Sequence, residues 1–147
     1  MYEVVIDHAP SQLDNSIVRE GLITFNEKII GERDKPFSVF LKNDSGRICG
    51  GIQAFLDTRS VYIDILWVEE KLRKQGYGKK LLMAAEHEAI KKGCIFSTVD
   101  TWDFQAEGFY LKNGYECIGE IKNYWFGHSR IFLRKNLKNH RENNEIK

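Results

Sequence analysis

A chain of 147 residues, with 42% hydrophobic and 29% charged residues and a formal net charge of +1, has the size and composition of one soluble domain able to bury a core without disulfides or metal. Near-neutral charge gives no field favouring nucleic acid or a membrane surface, and no apolar run approaches the roughly 18 residues of a transmembrane helix. Met1 to Asp7 lacks the basic and long apolar regions of a signal peptide, and Cys49, Cys94 and Cys117 are odd in number and far apart, so a cytoplasmic protein with reduced thiols is expected.

Tyr2 to Asp7 alternates weakly and predicts a first strand. From Asp14 to about Ile30, the positions Ile17, Val18, Leu22, Phe25, Ile29 and Ile30 follow helical spacing, with Asp14 or Asn15 as N-cap and Gly21 as a point where the helix can divide. Pro36 opens a strand over Phe37 to Leu41, the cluster Asn43 to Gly46 turns the chain, and Ile48 to Leu56 returns as its hairpin partner. Gly50-Gly51 inside that partner predicts a bulge or a close backbone approach. Val61 to Val68 is β-branched and apolar, as suits a buried strand. A helix is predicted from about Gly76 to Lys91-Lys92-Gly93, with Leu81, Leu82, Ala85, Ala89 and Ile90 on one face. Then come a strand over Ile95 to Thr101, a short helix over about Gln105 to Asn113, and strands over Tyr115 to Ile121 and Arg130 to Leu137. The strand–helix–strand step over 61–101 needs a crossover and predicts a parallel pair inside a mixed α/β sheet. Residues 1–137 are expected to form a single domain, and Lys138 to Lys147, without apolar period, a disordered tail.

The segment Leu72-Arg73-Lys74-Gln75-Gly76-Tyr77-Gly78-Lys79-Lys80 stands where a strand hands over to a helix. Amides at a helix start have no intrahelical partner, the macrodipole is positive there, and glycines let an anion come close, so a phosphorylated ligand is suggested. A P-loop is excluded because Lys79 is followed by Lys80, and a dinucleotide fingerprint because Leu81 stands where a third glycine is needed. The histidines show no ligand spacing, and no metal site is expected.

What remains, Arg73-x-x-Gly76-x-Gly78, resembles the Arg/Gln-x-x-Gly-x-Gly/Ala signature of the GNAT superfamily of acetyl-CoA-dependent N-acetyltransferases. A second segment, Ala106, Phe109, Tyr110, Gly114 and Tyr115, resembles that family's Ala-x-x-Phe/Leu-Tyr-x-x-x-Gly-Phe/Tyr, and the predicted element order is similar to the family's from about residue 2 to 137. The resemblance implies a central mixed, mostly antiparallel sheet of six to seven strands, its fourth and fifth strands a splayed parallel pair, with helices on both faces. It implies acetyl-CoA as donor. Leu66, Trp67 and Val68 would pair with the pantetheine arm, one N–H, that of Val68, would act as oxyanion donor, and the amides from Lys74 through Gln75, Gly76, Tyr77 and Gly78 to Lys79 would hold the pyrophosphate, with Arg73 of the signature also a cofactor residue. Phe109 would stand with the cofactor residues. Tyr110 would face the cleft and protonate the departing thiolate, while the Phe109 ring can be buried.

The base is not placed by any motif. Asp64, interrupting an apolar strand, and Asp100, at a strand end, are candidates; strand alternation puts Asp64 on the face of Tyr62, Leu66 and Val68 unless a bulge intervenes. Glu69 and Glu70 are expected in a solvated loop. Where many family members carry an asparagine, this chain reads Thr101-Trp102-Asp103, and an aspartate cannot donate as an amide does. Trp102 is then a candidate wall for the acceptor, with Phe25 to Arg33 and Tyr124-Trp125-Phe126; the latter loop could equally cover the sheet or form a homodimer contact. Transfer to a primary amine of a small molecule, peptide or protein is the expectation. A catalytically silent acetyl-CoA sensor and a cofactor-free interaction domain are the alternatives.

Overall fold

Helix α1, Gln12–Ile30, starts at Ser11, whose hydroxyl accepts from the Asp14 N–H at 3.0 Å and donates to the Asp14 carboxylate at 2.8 Å. The N-cap is therefore Ser11 rather than Asp14 or Asn15, and Gly21 sits inside one continuous helix that ends at Gly31 in the left-handed conformation. The computed structural model describes residues 1–137; the expected tail lies outside them. Two units divide the chain, Met1–Asp34 and Lys35–Lys147. In the first, residues 2–7 form no strand, and Arg33 ties back to Glu20 and Glu27 at 2.8 and 2.9 Å.

The second unit is built on six strands: β1 (Lys35–Lys42), β2 (Ile48–Leu56), β3 (Ser60–Val68), β4 (Phe96–Trp102), β5 (Glu116–Trp125) and β6 (His128–Asn136). Their order across the sheet is β1-β2-β3-β4-β6-β5. All neighbours are antiparallel except β3 and β4, joined by α2 (Tyr77–Lys91). Because 2–7 is not a strand, the parallel pair expected fourth and fifth is third and fourth. Helix α3 is Glu107–Lys112, shorter than expected. Pro36 lies on the outer strand β1, where its missing N–H breaks no ladder on the open side.

One face of this sheet carries the core. Ile52, Ala54, Leu56, Val61, Ile63, Val99, Ile131 and Leu133 meet Leu81, Leu82, Ala85 and Ala89 of α2 and Tyr110 of α3. The same face of α2 also buries Glu86, which apolar periodicity did not select. Its carboxylate pairs with Lys135 at 3.0 Å and lies 3.2 Å from the Tyr115 hydroxyl, which is 2.8 Å from Ser97 Oγ. The two charges are both buried, and the network ties α2 to β4 and β6, so removing one partner leaves an uncompensated charge in the core.

Two irregularities shape β3. Gly50 and Gly51 serve close approach: a Cβ on either would stand 2.8 Å from the Trp67 carbonyl oxygen or 2.7 Å from that of Val39. The bulge lies further on, where Gln53 pairs with Ile65 and Ala54 with Ile63, leaving Asp64 as the extra residue. That extra residue changes which side chains face inward. Val61 and Ile63 point into the core before it, Leu66 and Val68 pack against the same core after it, and Asp64 is exposed. The expectation that Asp64 shares a face with Leu66 and Val68 inside an apolar strand is thereby overturned.

Candidate active site

The parallel ladder is short. It joins Ser60–Ile63 to Phe96–Val99 and stops, although β3 runs on to Val68 and β4 to Trp102. Beyond Ile63 and Val99 the two strands separate, and the β4-facing edge of residues 66–68 carries no strand. This is the expected splay.

A cleft of about 600 Å³ opens beside it, lined by Leu66, Val68, Leu72, Arg73, Lys74, Gly76, Gly78, Lys79, Ala106, Phe109, Lys112 and Asn113. Its floor is the start of α2. Gly76 caps that helix at φ +85° with no side-chain hydrogen bond, and no acidic residue lies in the first turn. Lys74 is also left-handed, at φ +60°. The chain's first helical bond here is from the Lys80 N–H to the Gly76 carbonyl, and the amides from Lys74 through Lys79 have no acceptor among the described residues. Lys79 and Lys80 add positive charge where the macrodipole is already positive, which is unfavourable unless an anion is bound. Arg73 is fixed by its Nε donating to the Val68 carbonyl at 2.9 Å, which joins the loop to the strand end.

Most expected cofactor residues meet in this cleft. Trp67 does not: its side chain is turned to the opposite face and half exposed. The side chains of Gln75 and Tyr77 also stay outside, Gln75 donating to the Lys71 carbonyl at 3.0 Å and Tyr77 lying under Lys80; only their amides join the run. Leu72, Lys112 and Asn113 were not anticipated. Lys112 and Asn113 follow Phe109 by three and four residues, a helical spacing that could have revealed them. A second cleft, of about 350 Å³, shares Lys79, Lys112 and Asn113 with the first.

Phe109 lies with the other cofactor candidates as expected, whereas the Tyr110 ring, expected to face the cleft, is buried. The Phe109 ring lines the cleft, packed so closely on α2 that a Cβ on Gly78 would be 3.5 Å from it. The Tyr110 ring is buried in the core, edge-on to Phe109 and Tyr115 at centroid separations of 5.2 and 5.3 Å. Its hydroxyl has no hydrogen-bond partner among the described residues, yet no fully enclosed side-chain oxygen or nitrogen there lacks one, so the oxygen reaches accessible space. Burial pushes the Tyr110 pKa up, and the Asp100 carboxylate raises it further. It is a phenol that holds its proton.

Asp100 is placed at the notch, directly after the last parallel pair, but its oxygens are engaged. Tyr62 donates to Oδ2 at 2.7 Å and Arg130 pairs with Oδ1. The Tyr62 hydroxyl is pushed up to about 12, by burial first and by Asp100 second. Arg130 in turn lies 4.6 Å from the Trp102 ring centre. Asp64 and Asp100 are therefore not brought together as equivalents; one is exposed on a bulge and the other clamps β3, β4 and β6. Glu69, expected in a solvated loop, is instead an ion-pair partner of Arg47 and is mostly covered. Asp103, where an asparagine was expected, accepts from the Ser129 N–H at 2.9 Å and contacts His128 Nδ1 at 2.8 Å. Its pKa is lowered, by the Ser129 amide first and with His128 adding to it.

The acetyltransferase (GNAT) family model matches residues 5–115, a span that runs across both units. Blasticidin-S acetyltransferase of Streptomyces morookaense is 35% identical over 102 residues, covering 69% of this chain and 75% of that protein. An acetyltransferase of Agrobacterium fabrum is 32% identical over 133 residues, covering 90% and 96%. The crystal structure of an acetyltransferase from Bacillus cereus superposes with a TM-score of 0.75 at 32% identity, over 92% of this chain and 99% of that one. Strand splay, helix-start cleft and these likenesses agree: the chain belongs to the GNAT family of acetyltransferases.

Proposed function

We infer that residues 1–137 are one acetyltransferase domain that binds acetyl-CoA in the cleft at the start of α2 and passes the acetyl group directly to a primary amine of a small molecule, peptide or protein. The observation that carries the donor assignment is the run of unbonded amides from Lys74 to Lys79 on an uncapped, basic helix start. A pyrophosphate is the anion that such a run suits, and the second cleft gives the nucleotide end of a long ligand room to continue past Lys79 and Lys112.

The chemistry follows from the notch. The pantetheine arm takes the open edge of residues 66–68, with the Val68 N–H polarising the thioester carbonyl. The neutral amine attacks that carbonyl carbon, a C–N bond forms, the C–S bond breaks, and the nitrogen gives up a proton. Tyr110, kept protonated by burial, hands its proton to the leaving thiolate and regains one from solvent. Asp64 and Asp100 are the candidates for the base. Asp64 is free to reach water beside the notch, whereas Asp100 would have to release Arg130 or Tyr62. Three free thiols, two of them buried, suit a reducing cytoplasm.

Calorimetric titration with acetyl-CoA, followed by thiol release with a panel of polyamines, amino acids, aminoglycosides, peptide amines and blasticidin S, tests the assignment. Blasticidin S is included because one relative is named for it. Binding with thiol release on at least one amine is expected. Binding with no release on any of them would favour a cofactor sensor, and no binding would overturn the donor assignment.

A further inference from the structure

Beyond the notch, the end of β4 and the β5–β6 hairpin carry a continuous set of rings. Trp102 lies 5.3 Å from both Tyr124 and Trp125, and Phe104 is 6.0 Å from Trp125 and 4.6 Å from His128. The inner member, Trp102, is stacked under Arg130, which pairs with Asp100 at the splay, so the ring set leads from the reaction centre to the hairpin tip. At the tip Phe104, Trp125, Phe126 and His128 line an apolar cleft of about 250 Å³.

Phe126 is out of place as a turn residue. Trp125 pairs with His128, so Phe126 and Gly127 are the two central residues of a hairpin turn, both left-handed, at φ +48° and +83°. Such a turn favours Asn-Gly, and a bulky residue at its first central position is strained. The ring gains nothing from burial, since it is 89% exposed. Strain and exposure together are the signature of a residue held for contact with something else. Phe104 is stacked on Trp102 at 13°, but the ring pairs of the cleft itself, Phe104–Trp125, Phe104–His128 and Trp125–Phe126, are tilted by about 50° to 67°, so they do not cover one another's faces.

We propose that this cleft is an acceptor subsite that stacks a planar ring carried by the amine substrate, with Phe126 as its rim. The inference rests on the acetyl-transfer function above. Charge suits the same occupant: Asp103, which contacts His128 of the cleft lining and accepts from the Ser129 N–H, is held ionised, and Arg130 is already paired with Asp100, so an amine arriving as its ammonium ion meets complementary charge near the rings.

The test compares 2-phenylethylamine with 2-cyclohexylethylamine, which share chain length and apolar bulk but differ in planarity. Thiol release should give kcat/KM about tenfold higher for the planar amine, mainly through KM. Phe126→Asn suits the turn, so the variant should fold at least as well, and the preference should fall to within about twofold. Equal kcat/KM for the two amines in the parent protein, or an undiminished preference in Phe126→Asn, overturns the subsite. So does transfer to other amines but to neither of these. Failure of the underlying function reads differently: no acetyl-CoA binding and no thiol release with any amine.

Discussion

The two ends of this site are made of different material. The proposed donor cleft offers mostly main chain: unbonded amides at the start of α2, an open strand edge at 66–68, and glycines that keep Cβ atoms away. The aromatic end is side chains: rings from β4, its following loop and the β5–β6 hairpin, held by the Arg130–Asp100 and His128–Asp103 contacts. A site of main chain presents the same groups whatever most side chains are, which suits a donor of fixed structure. A site of side chains is redrawn by single substitutions, which suits selection among acceptors.

The largest effect should come from Tyr110, the donor-side position whose side chain is proposed to act as the acid. Tyr110→Phe keeps the ring and its packing on Phe109 and Tyr115 but removes the proton, so kcat should fall by about 10²- to 10⁴-fold with acetyl-CoA affinity unchanged. Because the folded pKa is raised, the phenol stays protonated beyond the usual tyrosine range near 10, and the alkaline fall in kcat should lie above that value and vanish in the variant. Unchanged chemistry-limited turnover in Tyr110→Phe would remove the acid role.

A smaller effect is expected where main chain alone is at stake. Gly50→Ala puts a Cβ 2.8 Å from the Trp67 carbonyl, which cannot move without shifting β3, so a stability loss of about 1–3 kcal/mol should appear in urea unfolding together with weaker acetyl-CoA binding. If affinity survives while stability falls, the strand edge at 66–68 is not part of the donor site.

The same division explains what could be read from the residues alone. Glycine spacing is a local signal, so Arg73-x-x-Gly76-x-Gly78 pointed to the uncapped helix start, and hydrophobic period gave the parallel crossover and the α2 face. Contacts between distant residues leave no such trace. The burial of Glu86 leaves no mark in the apolar period because its partner, Lys135, lies 49 positions away. The bulge at Asp64 depends on how β2 pairs, so alternation assigned the wrong face to Leu66 and Val68. The Phe109 ring lines the cleft and the Tyr110 ring packs into the core because of contacts with Gly78 and Tyr115, which helical period alone does not show. Strand β5 runs past the expected end at Ile121 to Trp125 across an irregularity that includes left-handed Asn123, which shortens the expected loop to a two-residue turn.

The smallest effect tests whether the aromatic end is held by side chains at all. Asp103 is the anchor of the hairpin start, and its folded pKa lies below the ordinary 3.8, so its contribution is complete above that pH and is lost as pH falls through the lowered value. Acidification from pH 5 should therefore change the fluorescence of Trp102 and Trp125 in a step that begins below pH 4, ahead of global unfolding. Asp103→Asn can still accept from the Ser129 N–H but carries no charge to titrate, so its acid profile should lack that step while its spectrum at neutral pH stays close to the parent. An identical step in both proteins would mean that other carboxylates govern the acid response and that the ring set keeps its arrangement without the Asp103–His128 contact.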